Sequence, residues 1–489
     1  MKQFFLHFIL LLIILLGAIS CKESSKPELG SIVGRIQLDG QSDNSGIDVR
    51  VYTAGVVPEK LSNIYNTYPQ LAFPVSDRIY FDHREYSPIK TVITNRDGLF
   101  SLAELPFGIY IVSYSKEGWG YNYIYDLVLN QSELNLSSKY DIQLFPEQQI
   151  PVFIDGDYTF ETGKCYIANS NVSFGPNAQI EFQGNTRLLL GPNVKISSYG
   201  SLSFPTGQEM AYITSFSGAY TGNIQNQSRA DGLEIVAGTL PIHNICLSHL
   251  YNALMIRSAN IEVSRSAFRE SVFGLLSNST SNISISGCVF ANNIDINGAA
   301  SYCYYVNQFD CGLCVFYNNY MAMKNEIVKE AIIENNLFID NNHSYLNLWE
   351  STAVFQHNNI NSEGVGVENS GMSNLEIYYN NIAASTCVQT YHSNNWYNTV
   401  NYGWTKAHNN NFLPVIYAME SRAAYYYSDG PYPLDFTNNY WNTPNAGTID
   451  SYIIDFNDLG LVVGSGVSSI VNYVPYRQNA VPNAGIQIR

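Results

Sequence analysis

Charge is scarce in this sequence. Only 13% of its 489 residues are Asp, Glu, Lys or Arg, about half the share usual in soluble proteins. Basic residues are the scarcer kind: 25 Lys and Arg against 41 Asp and Glu give a formal net charge of −16. That balance argues against nucleic acid and anionic membrane surfaces as partners, and it disfavours polyuronates unless a cation or a local basic patch intervenes. The eight cysteines follow no zinc-ligand spacing, and so long a chain needs no disulfide scaffold. No metal or other cofactor is expected. The longest apolar run, Phe4 to Leu16, is too short to span a bilayer comfortably.

Tyr is abundant, and Asn recurs through the second half. With Val, Ile, Phe, Thr and Gly around them, these residues suit short strands and tight turns. A chain of this length is expected to divide into at least two domains.

Residues 1–20 carry a targeting signal. Lys2, the apolar run and Gly17-Ala18-Ile19-Ser20 make up a basic start, a short greasy stretch and small residues at the cut. The following Cys21 resembles the lipobox cysteine of bacterial lipoproteins, which is acylated and becomes the mature N-terminus. The resemblance implies lipidation at Cys21 and attachment to a lipid bilayer of the cell envelope, at the outer membrane or cell surface. Residues 21–30 then read as a polar tether.

Residues 31–148 read as alternating short strands. Thr94-Asn95-Arg96-Asp97-Gly98-Leu99-Phe100-Ser101-Leu102 is a strand, a glycine turn and a strand, and Leu105-Pro106-Phe107-Gly108-Ile109-Tyr110 repeats the pattern. With Gly120-Tyr121 after it, the run resembles the carboxypeptidase-regulatory-like β-sandwich, which implies a non-catalytic spacer. Asp82-His83-Arg84-Glu85 falls in an insertion of this sandwich and reads as a solvated loop.

The second half repeats. Ser266-Ala267-Phe268, Cys288-Val289-Phe290, Cys314-Val315-Phe316, Asn336-Leu337-Phe338, Asn358-Asn359-Ile360, Asn380-Asn381-Ile382, Asn410-Asn411-Phe412 and Asn438-Asn439-Tyr440 recur at steps of 22, 26, 22, 22, 22, 30 and 28. A 22-residue step with short alternating strands is one coil of a parallel β-helix, with like residues stacked from coil to coil. The asparagines are expected at left-handed turn positions, bonded into a ladder. Cys288 and Cys314 share that ladder position and should stack. Both ends, Phe160-Glu161-Thr162-Gly163 and Asn438-Asn439-Tyr440-Trp441, resemble the pectate-lyase-like superfamily. The implied architecture is all-β: a right-handed parallel β-helix over residues 149–480, preceded by the small β-sandwich.

Function should sit on the longer coils. Their extra residues are aromatic, and Trp396, Tyr397, Tyr402, Trp404, Tyr425, Tyr426 and Tyr427 are the candidates for stacking on sugar rings. Catalytic groups are harder to find. A lyase wants a cation held by carboxylates and a base, and a hydrolase wants converging carboxylates; between Ser266 and Phe290 the only acid is Glu270. Arg257, Arg265, Arg269 and His249 form the best basic group and read as solvated turn residues. No catalytic residue is assigned. The expectation is a non-catalytic envelope lipoprotein that binds a polysaccharide or other envelope component. The alternative is a polysaccharide lyase or glycoside hydrolase on the same scaffold.

Overall fold

A computed structural model describes residues 28–72, 75–216, 229–278, 281–392, 403–423, 433–459 and 469–487. The chain is all-β and forms two compact units.

Among the described residues, the first unit combines 28–54, 88–116 and 122–144. One sheet pairs Leu29–Leu38 with Leu99–Pro106, antiparallel, and with Glu133–Asn135 and Ile142–Leu144. A second sheet runs in the order Lys90–Ile93, Asp48–Thr53, Gly108–Lys116 and Gly120–Leu129. The expected glycine turn is there. Asn95 Oδ1 accepts from the backbone N–H groups of Asp97 and Leu99, and Gly98 takes φ +80° with its α-carbon against the Ile36 carbonyl. A Cβ at Gly98 would lie 2.1 Å from that oxygen, so only glycine fits.

The second unit is a parallel β-solenoid of about ten turns. Each coil has three faces. In one coil face A is Asn282–Ser286, face B is Val289–Ala291 and face C is Ala299–Tyr304. Face A stacks ten parallel strands, and faces B and C merge into one long sheet. Rung pairing confirms the repeat read from the sequence: Phe268, Phe290, Phe316, Phe338, Ile360, Ile382 and Phe412 lie in one column. Their rings stack inside the coil at 4.8, 4.8 and 4.9 Å from Phe268 to Phe338. The last step is corrected from 28 to 29 residues, because Asn439, not Asn438, lies above Asn410 and Trp441 packs on Phe412 at 5.0 Å.

The asparagine ladder runs through Asn336, Asn358, Asn380, Asn410 and Asn439. Each backbone N–H donates to the next side-chain oxygen at 2.8–2.9 Å. Each Nδ2 of the first four bonds the same oxygen at 3.0–3.2 Å. Cys288 and Cys314 continue it: Cys314 Sγ accepts from the Cys288 N–H at 3.4 Å, and Asn336 Oδ1 from the Cys314 N–H at 2.9 Å. The left-handed residue is not the ladder asparagine but the one before it, as at Asn335, His357, Tyr379, Asn409 and Asn438. The buried amide must point inward to bridge two rungs, so the sharp turn falls to its neighbour. A second ladder joins Asn293, Asn319 and Asn341.

Residues 55–87 belong to the solenoid unit. Their helices, Glu59–Thr67 and Asp77–Tyr80, lay Leu61, Ile64, Ile79 and Tyr80 against outward residues of face B: Cys246, Ala267, Val289, Val315 and Leu337. Farther along, face B turns polar and the C-terminal segment covers it. Asn411 exchanges hydrogen bonds with the Val481 backbone, and Asn381 donates to Ala484 O. Face B is therefore occupied, whereas among the described residues Ile332 and Lys406 of face A are exposed and Tyr302 and Lys324 of face C partly so. Among the described residues no helix is long and apolar enough to cross a membrane.

Candidate functional site

Two places concentrate chemistry: a buried charge cluster at the B/C corner and a half-buried ring platform on face A. The cluster begins with backbone geometry. His249 and Glu270 occupy the same left-handed corner on successive coils, at φ +60° and +54°, so their side chains stack. Residues 82–85 of the insertion meet them there. His249 Nε2 bonds Glu270 Oε2 at 2.6 Å and also bonds Glu85 Oε1. Arg269 Nη1 donates to Glu270 Oε1 at 2.9 Å and its Nη2 lies 3.6 Å from Glu85. Arg84 grips Asp82 through Nε at 2.9 and 3.1 Å and donates to Ser215 O at 2.6 Å.

Asp82, His249 and Arg269 are each 5% exposed or less, which corrects the solvated-loop and solvated-turn expectations for them. Burial works against the His249 imidazolium, but its bonds to Glu270 and Glu85 outweigh that and hold it above the ordinary range. Burial likewise opposes the Glu270 carboxylate, and Arg269 and His249 outweigh it and hold the group well below. Glu85 is pulled upward by burial, only partly offset by His249 and Arg269. Three carboxylates face two guanidiniums and one imidazolium, so the cluster is neutral when His249 is charged.

Donor atoms of Asp82, Glu85 and His249 lie within 4.8 Å of one another, close enough for a metal ion. The donor set argues against one. Arg84 already saturates Asp82, and Arg269 stands beside Glu85, so a cation would have to displace guanidiniums from buried positions. The arrangement is a clasp that fixes the insertion to face B. Arg257 and Arg265 are elsewhere. Arg257 pairs with Glu234 at 3.0 Å, while exposed Arg265 lines a pocket of about 470 Å³ with Arg78, Glu209 and Asn244.

Of the sugar-stacking candidates, Trp404 is described and lies half-buried on face A at the start of Trp404–His408. Trp396, Tyr397, Tyr402, Tyr425, Tyr426 and Tyr427 lie outside the described residues, as does Cys21. Inside the coil, Asn369 Nδ2 donates to Trp404 O and Thr405 Oγ1 at 3.1 and 2.9 Å, fixing the strand. Outside, the Lys406 ammonium sits 4.6 Å from the Trp404 ring centre. Next along the strand, His408 stacks on Tyr378 at 5.9 Å and 13°. Tyr379 stacks on His357 at 5.3 Å and 7° at the neighbouring corner. Burial, with Glu376 beside it, pushes the Tyr378 phenol up to about 12, so it remains a neutral donor. The 30-residue step from Tyr378 to His408 hides this pairing in the sequence.

Compared with family models, curated proteins and solved structures, the chain finds no match.

Proposed function

We propose that this chain is a lipid-anchored envelope protein whose right-handed solenoid, of the pectate-lyase-like kind, binds neutral glycan without transforming it. The observation that carries the reading is the face A platform. Trp404, Tyr378 and His408 line the outside of face A on rigid strands, with the Lys406 ammonium over one ring and the other two rings stacked on each other. Sugar C–H faces stack on such rings, and their hydroxyls bond the polar rim. In this reading the small sandwich, of the carboxypeptidase-regulatory-like kind, is a spacer above an acylated Cys21.

A polysaccharide lyase or glycoside hydrolase is the second reading. It draws on Glu376 and Asp435, which flank Lys406 in one outward column, two rungs apart. Ordinary strand spacing puts them about 10 Å apart, just beyond the ~6.5–9.5 Å of an inverting hydrolase. Lys406 also occupies the space where the sugar and water would sit. Binding is the better fit.

A glycan array probed with the full-length protein, then calorimetry on any hit, tests the binding. A reducing-end assay on the same glycan separates the two readings: released ends would favour the enzyme. Mass spectrometry of the membrane fraction should find acyl chains on Cys21, and Cys21→Ser should release the protein. Unchanged anchoring would remove the lipoprotein part of the proposal.

A further inference from the structure

Face C carries a second, longer row of rings, well before the Trp404 coils. Phe273 opens the strand Phe273–Asn278, and Tyr302 and Tyr304 lie on the outward positions of Ala299–Tyr304. Those two strands pair in register, Leu276 with Tyr302 and Asn278 with Tyr304. Tyr251 precedes the strand below, and Tyr305 is the left-handed corner residue just after Tyr304. Ring centres follow one another at 6.1 Å from Tyr251 to Phe273 and 6.1 Å from Phe273 to Tyr302. They continue at 6.2 Å to Tyr304 and 4.3 Å to Tyr305.

These rings are not core. The inward positions of the same strands are taken by Leu275, Ser277, Ser301 and Cys303, all buried. At the two ends of the row Tyr251 is 45% and Tyr305 47% exposed. The row crosses a strand of six residues and two rungs, so it extends about 20 Å.

Charge along the row cancels locally. Lys324 Nζ lies 3.0 Å from Glu326 Oε2 and 4.4 Å from the Tyr302 ring centre. The Tyr302 hydroxyl donates to the same carboxylate at 2.6 Å. Among the described residues, what faces outward along the row is ring surface with phenol edges, and its Lys324 and Glu326 charges are paired. An apolar peptide would call for aliphatic pockets, and an anionic ligand for spare cations. Flat rings in series with a neutral polar rim suit a chain of uncharged sugars.

We infer that this row is a second binding site, which takes an extended neutral polysaccharide segment lying obliquely across the coils. The inference rests on the reading of the solenoid as a glycan binder, and it adds the site, the ligand's length and its lack of charge. The row supplies length, so affinity grows with the number of sugars until the rings are covered.

The test is calorimetry on the full-length protein with neutral glucan, xylan and mannan oligosaccharides of increasing length. Wild type, Tyr251→Ala/Tyr305→Ala, Tyr251→Phe/Tyr305→Phe and Trp404→Ala are compared. Each ring removed should weaken binding of the longer chains roughly five-fold. The alanine pair should then lose more than ten-fold and flatten the length dependence. The phenylalanine pair should keep the affinity, and Trp404→Ala should keep the length dependence. Both substituted tyrosines are surface residues, so an unchanged thermal midpoint accompanies the loss. If a glycan binds and the alanine pair binds it equally well, this site is overturned while glycan recognition stands. If the phenylalanine pair loses as much as the alanine pair, the rings are not the contact and the inference fails. If none of these glycans binds, the broader reading fails with it.

Discussion

Faces B and C of the solenoid are built from the same coils, yet their outward residues have opposite fates. On face B, Ala267, Val289, Val315 and Leu337 are small or aliphatic, and all are buried beneath residues 55–87. On face C, the outward residues of the same coils are Leu276, Tyr302 and Lys324, all partly open, and Leu346, which is buried. Alternation alone gives one inward set per strand. The second set records what lies outside it: uniformly small or aliphatic where the chain folds back, mixed with a ring and a charge where Tyr302 and Lys324 stay partly open. The charge cluster marks the border, because Arg269 is the last residue of a face B strand and Glu270 the corner that leads to face C.

Breaking that border should have the largest effect. Arg269→Leu leaves the half-buried Glu85 and Glu270 without the buried guanidinium, and removing one partner of a buried pair costs about 3–5 kcal/mol, the upper end applying only to fully buried partners. Urea denaturation should register the loss, and limited proteolysis should cut within residues 55–87. A variant as stable and as resistant as wild type would mean that the cluster does not hold the cover on face B.

A smaller loss is expected inside the coil. Asn358→Leu removes an amide that accepts from the Asn336 N–H and donates to Ile333 O and Asn380 Oδ1. Stranding those buried groups should lower stability by roughly 1–3 kcal/mol, with no new cleavage in residues 55–87. The two variants thus separate cover from scaffold.

Acidity sharpens the comparison further. His249 is held above its ordinary 6.5, so its contribution is complete below about 6.5 and fades as the pH rises through the folded value. Glu270 is held below its ordinary 4.5, so its contribution is complete above about 4.5 and fades on acidification. Glu85, pulled upward, has the opposite sign to Glu270 and softens the acid side. The stability gap between wild type and His249→Gln should therefore be widest near pH 5–6 and shrink toward pH 9. A gap independent of pH would show that the imidazolium does not take part.

The solenoid was legible because its information is local and periodic. Asn336, Asn358 and Asn380 stand 22 residues apart, and that spacing alone places them on consecutive rungs. The register slipped only at the end, where Tyr440 and Trp441 are both aromatic and the sequence does not say which one turns inward; the larger ring did. The clasp was not legible. Glu85 and His249 are separated by 164 residues, and nothing periodic connects them. Asp82-His83-Arg84-Glu85 looked like a hydrophilic loop because its partners are supplied by another part of the chain. The hint lay in the solenoid: two adjacent charged residues, Arg269 and Glu270, end a strand at a corner where the next two coils place Ala291-Asn292 and Tyr317-Asn318.

The smallest effect should come from Trp404, and it bears on whether face A takes part in recognition at all. The ring is half-buried at a strand start, its backbone is fixed by Asn369, and the Lys406 ammonium lies over it. Trp404→Ala therefore removes a ring face and little scaffold. Stacking by one ring in an open site is worth about 1 kcal/mol, or roughly a five-fold change in Kd. Thermal stability should hardly move, since the inward residues of that strand, Thr405 and Ala407, are untouched. Lys406→Met should weaken a neutral sugar less, because the ammonium mainly fills space over the ring. If Trp404→Ala binds a glycan as tightly as wild type while Tyr305→Ala does not, recognition belongs to face C alone. The platform of Trp404, Tyr378 and His408 would then be packing on an open surface.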